Sequence, residues 1–251
     1  MIEDANIAEM IYSEREIKSK RKIIRSKLIH LSENINNGTV SSLGTADLKI
    51  LLNLYDEHFF NFYFKNIFKG KITFSLSKRM TRSAGKVLSP RDIKKLKPED
   101  ERYEIRLGVE FFFRYDDLLR DKTVNGLLSE DSLDAMLLVF EHELCHLLEL
   151  NIYGKSSCKG KRFKKIAKNF FGHTDSYHKL PTPGEIAVEK FKIKPGDKVS
   201  FLYEMKKNEG IVQSINKRAT VMVPEKNGIY ENSAGKRFCK WYVPLNALEK
   251  I

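Results

Sequence analysis

Cysteine is scarce in this sequence, and its three copies, Cys145, Cys158 and Cys239, are odd in number and far apart. This pattern argues against a disulfide framework and predicts a reducing, cytoplasmic setting. Long apolar runs are lacking too, since no segment approaches about 18 consecutive apolar residues. The first residues also lack the basic region and apolar core of a signal peptide. We therefore expect no signal peptide, no transmembrane helix and no membrane partner.

Acidic residues are fewer than basic ones. The 251 residues include 45 lysines and arginines against 33 aspartates and glutamates, which gives a net charge of +12. Such an excess predicts an anionic partner, with nucleic acid or the ribosome first, although solubility alone also accounts for it. With 41% hydrophobic residues, the chain can bury a core as one large domain or as a catalytic domain with a small appendage.

The segment 139–150 carries the motif His-Glu-x-x-His inside an apolar helical run. Residues four apart share a helix face, so His142 and His146 can offer two imidazoles to one metal ion. Glu143 lies beside the first histidine, where its carboxylate can take a proton from a metal-bound water. The pattern predicts a zinc site with Glu143 as general base. The alternative is a pair of core histidines satisfied by other partners.

The segments before this motif alternate between helical and strand patterns. Residues 7–33 predict a long helix with many basic residues, which form either a solvated face or a nucleic-acid contact. After a loop over 34–44, a second helix is predicted from residue 48 to about 59. Residues 71–76 and 103–109 alternate polar and apolar side chains, as β-strands do. A small sheet of this kind can hold an extended substrate along its edge strand.

Residues from about 45 to 180 resemble the SprT-like (Spartan-type) metallopeptidase domain. Three segments in this order carry the resemblance, namely Leu-Tyr-Asp-Glu-His-Phe-Phe at 54–60, Arg-Met-Thr-Arg-Ser-Ala-Gly at 79–85 and His-Glu-Leu-Cys-His at 142–146. The resemblance implies a zincin fold and a zinc-dependent endopeptidase of low sequence selectivity. The best-known relatives digest proteins crosslinked to DNA, which implies a role in DNA repair and a location in the cytoplasm, including the nucleoid.

The sequence departs from the family after the metal helix. SprT-like proteins follow with His-Gly-x-x-Phe, whose histidine is the third ligand, whereas this chain has Lys-Gly-Lys-Arg-Phe at 159–163. Cys158 comes one position earlier, before a predicted helix over 161–171, and His173 comes after that helix. Either residue can serve as the third metal ligand, and a structural role for each is the alternative. His178 lies where the family often has a histidine that orients substrate, although a loop histidine without such a role is equally consistent.

The composition changes after residue 180, where two prolines and a glycine interrupt the chain. Residues 181–192 predict a linker, and residues 193–251 predict a small SH3-like β-barrel because short alternating segments are separated by turns. The predicted strands are 198–203, 210–215, 218–223 and 238–243. With an N-terminal basic helix over 1–44 and the metallopeptidase domain over 45–180, the expected fold class is α+β.

Basic and aromatic residues are interleaved in the predicted barrel. Lys217 and Arg218 lie near one of its predicted turns. Cations among aromatic rings suit phosphate contact and base stacking, so the barrel is predicted to bind DNA or RNA through these residues. An ordinary aromatic core beneath a solvated surface is the alternative.

Two functions compete at this point. The first is a zinc endopeptidase that cleaves protein substrates, with zinc held by His142, His146 and either Cys158 or His173. The second is a non-catalytic, zinc-containing protein that binds nucleic acid or the ribosome. A closed set of four ligands made from all of these residues would favour the second, because structural zinc leaves no position for water.

Overall fold

The computed structural model describes residues 7–251, which form an α+β protein. The chain divides between Leu180 and Pro181 into two compact units. Among the described residues, no helix combines the length and apolar character that a membrane span requires.

The first unit is built on four main helices and two short ones. They are α1 (Glu14–Leu31), α2 (Thr45–Phe59), α3 (Tyr63–Asn66), α4 (Glu110–Phe113), α5 (Ser132–Tyr153) and α6 (Lys161–Phe171). Ser13 begins α1 with a capping box, and the Asp131 side chain caps α5 by accepting from the backbone N–H of Asp134. Gly154 ends α5 at φ 71°, a left-handed conformation that glycine adopts without a Cβ clash.

A three-stranded sheet lies before α5 in the chain. Its strands are β1 (Lys71–Ser77), β2 (Gly85–Leu88) and β3 (Arg102–Gly108), in the order β1-β3-β2. β1 runs parallel to β3, and β2 runs antiparallel to it, which leaves β2 as an edge strand beside α5. A separate hairpin pairs β4 (Lys122–Val124) with β5 (Leu127–Ser129) across a two-residue Asn-Gly turn with both φ angles positive.

The helix α5 runs through the core and is buried on almost all sides. Its apolar side chains pack with those of α1, α2 and α6 into one cluster, to which the aromatic residues Tyr55, Phe59 and Phe171 contribute stacked and edge-on ring contacts. Since such a helix has no solvated face, each of its polar side chains requires a partner inside the protein.

Several basic side chains of α1 form hydrogen bonds and ion pairs with other residues of the first unit. Arg21 forms a two-pronged ion pair with Glu141 at 2.8 Å, and Arg25 forms a second with Asp131. Lys20 donates to the carbonyl of His58, and Lys27 pairs with Glu57. Internal contacts therefore account for four of the basic residues of this helix, on the same side of it that buries Ile17, Ile24 and Leu28.

The second unit combines one helix with an antiparallel sheet. The helix α7 (Pro183–Phe191) occupies the segment predicted as a linker, and Ala187 joins the core of this unit. The strands are β6 (Lys198–Tyr203), β7 (Lys206–Ile215), β8 (Ala219–Pro224), β9 (Tyr230–Glu231), β10 (Arg237–Val243) and β11 (Glu249–Lys250).

The six strands follow the order β11-β6-β7-β8-β10-β9. All four predicted strand segments are present within it. However, the edge strands β11 and β9 are not paired with each other, so residues 193–251 contain no closed barrel of the kind that the sequence predicts. Each edge strand has only two residues, which is too short to close the sheet.

Four short 3-10 helices complete the described chain. They are Ile93–Lys95, Pro98–Asp100, Tyr115–Asp117 and Leu245–Ala247. The first two lie in the connection between β2 and β3.

Candidate metal centre

The two motif histidines converge on one point. His142 and His146 lie one turn apart on α5, and their Nε2 atoms are 3.1 Å from each other. The Phe163 ring of α6 packs against both imidazoles, with its centroid 4.8 Å from that of His142 and 4.3 Å from that of His146. One face of α5 therefore presents two imidazole nitrogen atoms beside the apolar ring of Phe163.

Both imidazoles are neutral at physiological pH. Burial lowers the pKa of His142 to about 2, and the nearby charges of His146, His173 and His178 lower it further in the same direction. Burial also lowers the pKa of His146 to about 4, although the Glu149 carboxylate acts in the opposite sense. A neutral imidazole has one unprotonated nitrogen, so each ring can bind a cation without first losing a proton.

Cys158 joins the histidine pair from the loop between α5 and α6. The ligand atoms of His142, His146 and Cys158 all lie within 4.8 Å of one another. Two imidazoles and a sulfur form a donor set that tetrahedral zinc sites use, and they leave one position for another ligand. The three residues could therefore hold a metal ion.

A hydrogen-bonded chain sets the tautomer of His146. Its Nδ1 lies 2.7 Å from Ser156 Oγ, and the Ser156 hydroxyl donates in turn to the Glu149 carboxylate. Because that hydroxyl proton points to Glu149, the serine oxygen must accept the proton of Nδ1–H. The lone pair of His146 is then on Nε2, the atom that faces His142 and Cys158. Support of this kind typically orients metal-binding histidines.

Glu149 also holds the loop that carries Cys158. It is buried on α5, accepts from Arg162 Nε at 2.8 Å, and accepts from the backbone N–H of Ser157 at 3.2 Å. Since Ser156 and Ser157 precede Cys158 directly, a single carboxylate orients one ligand and anchors the loop of another.

His173 has a different position from the one expected of a metal ligand. Its Nε2 lies 2.9 Å from Glu141 Oε2, and its ring is fully buried. Glu141 also binds Arg21 and accepts from the Tyr55 hydroxyl at 2.8 Å. Of the two third-ligand candidates, the structure therefore brings Cys158 to the histidine pair and joins His173 to a buried network behind it. A closed set of four ligands is not formed among residues 7–251.

Glu143 lies between the metal helix and the edge strand β2. Burial raises the pKa of its carboxyl to about 8, and the backbone N–H of Val87 acts against this by donating to it. Its Oε2 has no hydrogen-bond partner among the described residues. A cation held by the adjacent histidines would favour the ionised form, which is the form that accepts a proton.

A cleft opens beside these groups. The edge of β2 and the residues before it, Ser83–Gly85, form one wall, His142 and Glu143 form the base, and Ser176–His178 form the opposite wall. The His178 ring packs edge-on against Phe111 at 4.9 Å, and its backbone bridges to Val124. An extended chain in this cleft would meet the edge of β2 that pairs with no other strand on one side, and Tyr177 and His178 on the other.

The predicted nucleic-acid residues belong to the second unit. Lys217 and Arg218 lie in the turn between β7 and β8, where the backbone N–H of Asn216 donates to the Arg218 carbonyl. Both side chains are exposed. On the neighbouring strand, Lys240 lies over the Tyr230 ring at 4.2 Å, so cations and aromatic rings are adjacent in this unit.

Several residues of the site escaped sequence reasoning. Ser156, Glu149 and Arg162 act through hydrogen bonds across the loop, and Glu141 acts across three helices. One available signal was Glu149, an acidic residue three positions after His146 on a helix predicted to be buried. Such a residue needs a partner, and the run of serines and cations that follows supplies candidates.

Comparisons of the chain with protein-family models, with curated proteins and with solved structures find no match. The resemblance to SprT-like peptidases therefore rests on the three motifs alone. The function has to be inferred from the side chains of the site.

Proposed function

We propose that the protein is a zinc-dependent endopeptidase of SprT-like type, with a zincin-like first unit. His142, His146 and Cys158 are the zinc ligands, and Glu143 is the general base. The observation that carries this proposal is the convergence of three ligand atoms within 4.8 Å, with the Glu143 carboxylate on the adjacent residue of the same helix. Three ligands leave the open position that catalytic zinc requires.

The residues of the chain have distinct tasks in this mechanism. A polypeptide substrate pairs in extended form with the edge of β2, which directs its scissile carbonyl to the base of the cleft. Zinc, when bound, supplies a Lewis acid and lowers the pKa of water to about 7. Glu143 takes the proton of the attacking water and returns it to the leaving nitrogen. His178, on the opposite wall, donates to the carbonyl oxygen as negative charge develops there.

The low dielectric around Glu143 suits it to proton transfer. Burial raises its pKa to about 8 before any cation binds, so this carboxyl binds a proton more strongly than an ordinary glutamate does. A cation beside it lowers that value towards neutrality, where a base can accept and release a proton in one cycle. This supports the catalytic assignment over a purely structural one.

The competing function is a non-catalytic zinc protein. The sulfur ligand Cys158 favours it, because peptidases usually complete the site with nitrogen or oxygen. The position of His173 argues against a closed structural site. His173 is hydrogen-bonded to Glu141 and is not the fourth ligand that such a site would need. A measured zinc coordination of three protein ligands and one water would support the peptidase.

Glu143→Gln tests the mechanism directly. The amide cannot accept the proton, so we expect zinc to stay bound at one equivalent while cleavage of casein or a histone is abolished. His142→Ala is the matched comparison, and it should lose the metal together with part of the stability, because metal binding is coupled to folding. Wild-type cleavage by the Glu143→Gln protein would rule out the assigned mechanism.

We further propose that the second unit binds DNA or RNA and brings the peptidase to nucleic-acid-associated proteins, including crosslinked ones. The exposed turn at Lys217 and Arg218, together with the cation–π pair of Lys240 and Tyr230, supports this role. Binding should fall steeply with salt because each neutralised phosphate releases roughly 0.7–0.9 of a counterion.

The full-length Lys217→Glu/Arg218→Glu protein should bind labelled single-stranded DNA, duplex DNA and RNA more weakly, and about equally so for all sequences. Its cleavage of a free substrate should stay at the wild-type rate. Unchanged nucleic-acid affinity at low salt would contradict this role of the turn.

A further inference from the structure

The segment around α6 has an unusual charge distribution. Between Leu150 and Thr174 the chain contains seven basic residues and no acidic one. These basic residues are Lys155, Lys159, Lys161, Arg162, Lys164, Lys165 and Lys168. A basic helix face is often only a solvated surface. Such a surface commonly carries acidic residues as well, and these form ion pairs with its lysines and arginines.

Most cations of this segment lack such a pair. Arg162 binds Glu149, and Lys165 binds Glu9. The other five form no ion pair with any residue in the range 7–251, and all five side chains are exposed. On α6 itself, Lys161, Lys164, Lys165 and Lys168 follow the spacing of one helix face, opposite the buried face of Phe163 and Ala167. On this face Lys161, Lys164 and Lys168 are therefore uncompensated positive charges, and Lys165 is paired.

Two of these lysines line a groove that adjoins the metal site. The α6 groove lies between α6 and residues 173–176, with Lys164 and Lys168 exposed and Phe163 and Ala167 buried beneath them. Phe163 is the residue whose ring packs on both metal-site histidines. Ser176 lines both this groove and the cleft beside Glu143, so the two are neighbours. A chain that lies in the cleft can continue into the α6 groove.

We propose that the α6 groove binds acidic side chains of the polypeptide substrate, through Lys164 and Lys168, and so gives the enzyme a preference for acidic sequence near the scissile bond. This inference rests on the proposed peptidase function and adds a substrate class to it. The alkyl stems of Lys164 and Lys168 can pack along the stem of a glutamate, and their two ammonium groups bind its carboxylate as point charges.

The groove suits an acidic peptide better than a nucleic-acid strand. The Asp175 carboxylate also lines the groove. A nucleic-acid strand carries a phosphate at every nucleotide, and this negative charge would repel the phosphates. The aromatic residue in the groove, Phe163, is fully buried and offers no open face for base stacking. A polypeptide can present isolated carboxylates at intervals, which matches two exposed cations in a groove that also contains one carboxylate.

Binding and cleavage test the inference separately. Zinc-loaded full-length protein carrying Glu143→Gln is titrated with labelled peptides of equal length that contain a glutamate pair or a lysine pair at successive positions. Adding Lys164→Glu and Lys168→Glu should weaken binding of the glutamate peptides about tenfold and strengthen binding of the lysine peptides. With Glu143 present, kcat/KM for the glutamate peptides should fall by a similar factor.

Lys18→Glu/Lys22→Glu on α1 is the matched control. These residues are exposed, form no ion pair within 7–251, and have the same four-residue spacing on a helix. The control changes the net charge equally and should leave peptide binding at the wild-type value. Equal losses in both double variants would mean that only net charge matters and would overturn the proposal.

The remaining outcomes also decide the question. If Lys164→Glu/Lys168→Glu weakens binding of labelled single-stranded DNA but not of the glutamate peptides, the groove binds nucleic acid and our proposal is wrong. If the wild-type protein cleaves nothing, the peptidase function fails, yet a groove-dependent affinity for glutamate peptides would still establish acidic-peptide binding. Cleavage that ignores glutamate position would leave the peptidase standing and refute the groove preference.

Discussion

Gly85 of the edge strand lies directly against the side chain of Glu143. A Cβ placed on residue 85 would approach Cγ and Cδ of that glutamate to 2.8 Å, closer than real Cβ contacts allow. Glu143 is buried and cannot swing away into solvent. The absence of a side chain at position 85 is therefore what lets the carboxylate sit beside β2, next to the histidine pair.

Gly85→Ala should displace the Glu143 carboxylate without touching a metal ligand. We expect kcat to fall by up to about 100-fold, a loss that a misplacement of about 1 Å can cause, while zinc content stays at one equivalent. Lys86→Ala, at the next and exposed position of β2, is the control and should keep wild-type activity. Steady-state kinetics with metal analysis would check both, and full activity in Gly85→Ala would show that the position of Glu143 does not matter.

Removing the Ser156 hydroxyl should weaken metal binding. Ser156→Ala leaves His146 free to change tautomer and loses one tie between Glu149 and the Cys158 loop. We expect zinc affinity to fall about 10–100-fold, as measured by competition with a chromophoric chelator. Ser157→Ala is the matched control, because Ser157 binds Glu149 through its backbone N–H, which alanine retains. Identical affinities for the two variants would show that Ser156 plays no part in metal binding.

Cobalt substitution can identify the third ligand. A Cys158 thiolate bound to Co²⁺ should give a sulfur-to-metal charge-transfer band in the near ultraviolet, and Cys158→Ser should remove it. His173→Ala should keep the band while lowering stability, because it deprives Glu141 of a buried partner. A protein without the band, whose metal is lost on His173→Ala, would reverse this assignment.

The metal helix and its strand neighbours could be predicted from sequence because their signals are local. His142, Glu143 and His146 lie within two turns of one helix, so spacing alone puts them on neighbouring faces. The strands of the second unit were likewise visible as alternating segments. Barrel closure was not predictable in the same way, because it depends on whether the distant edge strands β9 and β11 meet.

The third ligand could not be chosen from sequence for a physical reason. Cys158 and His173 flank the same helix, and either end of α6 could have faced the metal. The choice depends on long-range contacts: Glu149 holds the loop before Cys158, whereas Glu141 holds His173. A buried acidic residue signals only that it needs a partner, and which residue that partner is depends on how the folded chain brings the loop and the helices together.

The Glu141 carboxylate should make stability depend on pH. Burial raises its pKa, but the Arg21 guanidinium and then His173 outweigh burial, and the pKa lies at about 2, below the ordinary 4.5. A carboxyl whose pKa is lower in the folded state stabilises the protein above its unfolded pKa. This contribution is therefore present at neutral pH and is lost as the pH falls from about 4.5 towards 2.

Arg21→Met tests this contribution, because it leaves the carboxylate buried without its main partner. At pH 7 we expect the free energy of unfolding to drop by about 3–5 kcal/mol, and its decline between pH 4.5 and 2 to become shallower. Arg25→Met, one turn along the same helix, removes an ion pair in which the Asp131 side chain is 32% exposed, and should cost about 1 kcal/mol or less. Denaturant titrations with a chelator present would exclude metal release from both measurements. Equal losses for the two arginines, or an unchanged acid slope in Arg21→Met, would show that Glu141 is not held ionised by Arg21.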